Sequence, residues 1–132
     1  EKIYRNKKLI ALVFRKNLKA KEVEFFTDDK NPFQIGMHTG EKGIKLVPHI
    51  HYVKKPIAIK TAQEWLSVKT GKILVTLYAR NGKVIDQKTL GSGDSILIME
   101  VSHGVEFIQN SSIFLIKQGP HLDNIQSKIF LK

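Results

Sequence analysis

Cysteine is absent from this chain of 132 residues. Its absence excludes a disulfide framework, a thiolate nucleophile and metal sites built on thiolates, such as zinc ribbons. Long apolar runs are also missing, because the longest, Leu9 to Phe14, is far too short to cross a bilayer. No membrane partner is therefore expected. Since no secretory signal is visible either, we expect a cytoplasmic protein.

Acidic residues are few relative to basic ones, 12 against 22, so the formal net charge is +10. A basic surface attracts phosphates whatever their sequence. The lysines, however, are spread over the whole chain, and no run of five or six basic residues occurs. Nucleic acid is therefore an unlikely partner, and the charge favours a small anionic ligand or substrate instead.

Helical periodicity is scarce, whereas short apolar or alternating segments recur between turn signals, which is typical of an all-β sandwich or barrel. The length and the ordinary content of apolar residues, 42%, predict a single domain over residues 1–132. Residues 1–35 would supply N-terminal strands, and residues 36–132 the barrel core. Between two of the apolar segments, Asn81-Gly82 predicts a hairpin with a type I′ turn.

Two histidines stand one residue apart in the strand-like segment "IKLVPHIHYV". On a strand, residues i and i+2 point to the same side, so His49 and His51 are predicted to share a face. Burying both without a metal would require two hydrogen-bond partners in an apolar interior, which favours a metal ion over a core histidine pair. His103 and Glu64 are the further candidates. Three imidazoles and one carboxylate suit a divalent first-row transition metal.

The spacing of these residues resembles the first conserved motif of the cupin superfamily. Gly43 precedes His49 by five intervening residues, His51 completes the His-x-His pair, and Glu64 precedes Gly71 by six intervening residues. Three of the four internal spacings of that motif are therefore met.

A second segment, "GSGDSILIMEVSHGVEFIQN", resembles the second cupin motif, in which a histidine supplies the last ligand. The resemblance covers roughly residues 43–110 and implies a jelly roll, the double-stranded β-helix barrel of small single-domain, RmlC-like cupins. It implies a site for Fe, Mn, Ni or Zn with four ligands: His49, His51, Glu64 and His103.

The sequence departs from the cupin pattern between the histidine pair and the glutamate. Twelve residues separate His51 from Glu64, where the family usually has three or four, so an extended loop or a pair of strands is expected there. Gln63 and His38 are the alternatives to Glu64 as a ligand. In the second motif, the proline and glycine that usually precede the histidine are absent.

The resemblance implies an enzyme of the isomerase or epimerase, lyase or oxygenase type, acting on a small anionic metabolite such as a sugar derivative. The alternative is a non-catalytic cupin that binds a sugar or another small molecule. His38 and His121 are candidates for proton transfer, as is a phenol, either Tyr52 or Tyr78; a loop or packing role is the alternative for each. The resemblance also implies a homodimer.

Overall fold

The computed structural model describes residues 1–120, 128, 129 and 131. Ten β-strands make up its regular structure, which confirms the all-β prediction, and no helix that could span a membrane occurs in this part of the chain. The strands are β1 (Lys2–Arg5), β2 (Lys8–Phe14), β3 (Val23–Phe25), β4 (Gly36–His38), β5 (Glu64–Thr70), β6 (Lys72–Tyr78), β7 (Val84–Gly91), β8 (Ser95–Ile98), β9 (Ser102–Phe107) and β10 (Ser112–Lys117).

The chain divides into two compact units, one formed by residues 1–16 and 61–132 and the other by residues 17–60. The first unit contains two antiparallel sheets, with the strand orders β1-β2-β8-β5-β10 and β7-β6-β9. The second unit contains the two-stranded sheet β3-β4. Among the described residues, none of these sheets closes on itself, so the jelly-roll barrel stays a prediction, as does the single domain with its boundary after residue 35.

Side chains from both sheets of the first unit meet in one apolar core. Along β6, every second residue is fully buried, as the alternation of strand side chains requires. Burial of each such side chain contributes about 1.5–3 kcal/mol. The central members of this core are Leu66, Val68, Ile73, Val75, Leu77, Leu90, Ile96 and Ile98. This core holds the ends of β5 and β9 in place, where the candidate site lies.

The predicted hairpin between β6 and β7 is confirmed, but its turn is not of type I′. Only Gly82 of the Asn81-Gly82 pair has a positive φ, 79°, and the backbone N–H of Ala79 donates to the carbonyl oxygen of Lys83 at 2.8 Å. That pairing closes a three-residue loop, the next commonest hairpin connection. Two successive positive φ angles, as in a type I′ turn, occur instead at Asn6 and Lys7, 48° and 64°, between β1 and β2.

The strand prediction for residues 44–53 is wrong. The described chain has no strand between the end of β4 at His38 and the start of β5 at Glu64, and every residue from 38 to 62 is exposed. Pro48 and Pro56 each lack the N–H that a strand would donate to a neighbour. Between His51 and Glu64, the loop is therefore the correct one of the two predicted alternatives.

Candidate functional site

Glu64 and His103, two of the predicted ligands, meet across the two sheets of the first unit. Glu64 is the first residue of β5 and lies in register with Lys117 of β10. His103 is on β9, in register with Leu77 of β6. The Nε2 atom of His103 lies 2.8 Å from Oε2 of Glu64, and the two side chains are 28% and 17% exposed.

Each partner of this pair favours the charged form of the other. The hydrogen bond from His103 holds the pKa of Glu64 below its ordinary value, although burial alone would raise it; the positive charges of His103, Lys117 and Lys128 act in the same direction as the hydrogen bond. The hydrogen bond to Glu64 raises the pKa of His103 against the opposing effect of burial. The pair is thus an imidazolium beside a carboxylate over a widened pH range.

A proton held between Nε2 of His103 and Oε2 of Glu64 can be transferred to or from a bound molecule. The other ring nitrogen, Nδ1, lies 3.4 Å from the carbonyl oxygen of Val101. Metal-bound imidazoles commonly have such a carbonyl beside their second ring nitrogen. One imidazole nitrogen and one carboxylate oxygen are also donors that suit first-row divalent metals.

The pair by itself does not complete a metal site. Within the described residues, no group of three or more His, Asp and Glu side chains is placed to hold an ion. A site in proteins usually has at least three protein ligands. The Glu64–His103 pair therefore fits part of a metal site.

His49 and His51 lie in the second unit, in an exposed segment without strand pairing. Their rings nevertheless stay neighbours, with centroids 4.8 Å apart in an edge-to-face arrangement. The Nδ1 atom of His49 lies 2.7 Å from the carbonyl oxygen of Val47. The two rings are thus adjacent, although the strand whose face they were predicted to share is absent.

The remaining predicted residues lie at separate places in the chain. His38 ends β4 and is exposed, and Tyr52 is 78% exposed. Gln63 is buried, and its backbone N–H donates to Oε1 of Gln118 at 2.8 Å. His121 lies outside the described residues. The proton-transfer roles of His38, Tyr52 and His121 thus stay predictions.

The glycines of both motif-like segments have a structural explanation. Gly43, Gly71 and Gly93 have positive φ angles of 96°, 83° and 87°, a region that favours glycine. Beside Gly71, an added Cβ would lie 2.8 Å from the Cα of Ser111 and closer still to the carbonyl oxygen of Asn110. Part of the resemblance therefore follows from backbone turns, which need no metal.

Sequence reasoning missed Lys117 as a neighbour of the site. Its position opposite Glu64 depends on the register of β10 against β5, and that register has no local signal in the sequence.

A shallow cavity of about 450 Å³ lies at the other end of β9 from His103. It contains no predicted site residue; its lining is Phe107, Ile108, Gln109, Asn110 and Ser111.

Compared with protein-family models, curated proteins and solved structures, the chain matches none of them.

Proposed function

We propose that the chain is a small metal-binding enzyme of the cupin type, with a jelly-roll fold, acting on a small anionic metabolite. The observation that supports this most directly is the contact between Glu64 and His103, which joins two of the four predicted ligands across two sheets. These two residues are far apart in the sequence, and the fold brings them together. A homodimer and a cytoplasmic location belong to the same proposal.

Glu64 and His103 would hold an Fe, Mn, Ni or Zn ion, which would act as a Lewis acid on a substrate oxygen or, if iron, in oxygen chemistry. His49 and His51 are the other ligands that the resemblance implies. Lys117 and Lys128 favour the ionised form of Glu64 and add positive charge near the pair, which supports an anionic substrate. The carbonyl oxygen of Val101 lies 3.4 Å from Nδ1 of His103, where it would accept a hydrogen bond from that nitrogen and help to orient the ring.

Metal content is the first test of this proposal. The protein is purified without chelators or a metal-affinity column, and its metals are quantified before and after incubation with each candidate ion. About one ion per chain is expected. Glu64→Gln and His103→Gln should each weaken retention at least about tenfold, because even the loss of a partner outside the ligand set costs ~10–100-fold.

Glu106→Gln is the matched control, since it removes an exposed carboxylate from the same strand as His103. A double variant, His49→Ala with His51→Ala, tests the second pair separately and should also lose the ion. Unchanged retention in Glu64→Gln and His103→Gln would refute the site. Failure to bind any of the ions would refute the metal-binding function itself.

A further inference from the structure

Residues 42–60 form an exposed segment that combines apolar and basic side chains. Every residue in it is exposed, and none belongs to a strand. It contains five lysines and two histidines but no aspartate or glutamate. The charges of this segment are therefore all of one sign.

Large apolar side chains of this segment are exposed to water, which is energetically unfavourable. Val47, Ile50, Tyr52 and Val53 are 80%, 71%, 78% and 79% exposed. Single exposed apolar residues are normal on a protein surface, whereas several close together usually mark an interaction site. The same segment includes four further exposed aliphatic residues, Ile44, Leu46, Ile57 and Ile59.

Lysines flank this apolar group on both sides. Lys42 and Lys45 precede Val47, and Lys54, Lys55 and Lys60 follow Val53. With no acid in the segment to neutralise them, these charges favour a partner that is negatively charged. The partner must therefore offer both negative charge and a place for aliphatic side chains.

An anionic lipid surface meets both requirements. Its acyl region accepts aliphatic side chains, and its headgroups attract lysines near the interface. Single-stranded nucleic acid would instead require aromatic platforms on which bases stack. Besides the two histidines, Tyr52 is the one aromatic residue of the segment, and the other large apolar residues are all aliphatic.

We propose that residues 42–60 attach the protein to the surface of an anionic lipid bilayer, with aliphatic side chains inserted and the flanking lysines at the headgroups. This attachment is peripheral. The expectation of no membrane partner rested on the length of apolar runs, which bears on spanning a bilayer and not on binding its surface.

Co-sedimentation with vesicles tests the proposal, using the whole chain in EDTA so that bound metal plays no part. Vesicles of phosphatidylcholine alone are compared with vesicles containing about a third phosphatidylserine. Binding is expected to the anionic vesicles only and should weaken at about 0.5 M salt, where charges are screened. The triple variant K42Q/K45Q/K54Q should bind at least about tenfold more weakly.

K19Q/K21Q/K30Q is the matched control, because it removes the same charge from exposed lysines of the same unit. It should bind within about threefold of the unchanged protein if the attraction acts locally, within the screening length. V47S/I50S/V53S keeps every charge and should also lose at least about tenfold in affinity, because it removes the inserted side chains. All of these residues are exposed, so no buried core side chain is lost.

Three results would overturn the proposal. One is no binding to the anionic vesicles, and another is equal binding by the unchanged protein and both segment variants. The third is binding of a fluorescent oligothymidine, or self-association, that depends on residues 42–60 while the vesicles are not bound. The second would place the lipid-binding surface outside residues 42–60, and the third would assign the segment to a different partner.

Discussion

Glu64 and His103 stabilise each other most strongly while both are charged. The raised pKa of His103 makes its contribution complete below the ordinary imidazole pKa of 6.5, and the contribution is lost as the pH rises through the folded-state value. The lowered pKa of Glu64 makes its contribution complete above the ordinary carboxyl pKa of 4.5, and this is lost as the pH falls through the folded-state value. Their coupling should therefore be greatest between those two ordinary values.

A double-mutant cycle measures this coupling. The free energy of unfolding is determined for the unchanged protein, Glu64→Gln, His103→Gln and the double variant, in EDTA and at several pH values. We expect a coupling of about 1–3 kcal/mol near pH 5.5, the range for a hydrogen bond between charged groups, and a decline at higher and lower pH. A coupling that does not change between about pH 4 and pH 9 would contradict the ion pair.

The contact between these two residues was partly predictable from sequence. The spacing of Glu64 before Gly71 selected the glutamate, and His103 was selected as the only histidine of the second motif-like segment; the structure brings them within 2.8 Å. What the sequence could not indicate is the proximity of Lys117, since the register of β10 against β5 depends on packing along the whole strand. The sequence thus pointed to Glu64 and His103 themselves. The charges near them depend on pairing between strands that are far apart in the sequence.

Gly71 and Gly82 provide a comparison of two hairpin connections with similar backbone angles. Their φ values are 83° and 79°, so alanine is strained by about 1–2 kcal/mol at either position. A Cβ on Gly82 would meet no atom within 4 Å, whereas a Cβ on Gly71 would clash with the backbone at Asn110 and Ser111. Packing is therefore the main difference between the two substitutions.

Gly71→Ala should consequently destabilise the protein by at least about 3 kcal/mol, and Gly82→Ala by only about 1–2 kcal/mol. Chemical denaturation of both variants gives the two free-energy changes under identical conditions. Gly82→Ala is the control for the backbone angle. Equal losses in the two variants would mean that the close approach of Gly71 to residues 110 and 111 does not constrain the fold.

Strand prediction succeeded where a partner strand was available and failed where it was not. "KILVTLYA" forms β6 with neighbours on both sides, whereas residues 44–53, with an equally apolar pattern, form no strand. An alternating segment is stable as a strand only when another strand satisfies its backbone groups. An apolar alternating pattern shows that a segment could pair as a β-strand. In residues 44–53, Pro48 was the local sign against pairing, because proline has no backbone N–H to donate to a neighbouring strand.

The exposure of residues 42–60 has a consequence for proteolysis. Residues 42–60 are exposed and outside any strand, so their backbone is free to enter a protease active site. Trypsin cleaves after lysine, and the sequence places Lys42, Lys45, Lys54 and Lys60 in this segment. Lys55 is followed by Pro56, so cleavage there is disfavoured.

Brief digestion of the native protein should therefore cleave within residues 42–60 at least about tenfold faster than after Lys72 or Lys88. Those two lysines lie in β6 and β7, where cleavage requires local unfolding of the three-stranded sheet. Mass spectrometry of a time course identifies the order of cuts. First cuts within β6 or β7 would contradict this prediction. They would show that the sheet is more accessible to the protease than residues 42–60 are. If the segment attaches to lipid, anionic vesicles should slow its cleavage and leave the digestion of urea-unfolded protein unchanged.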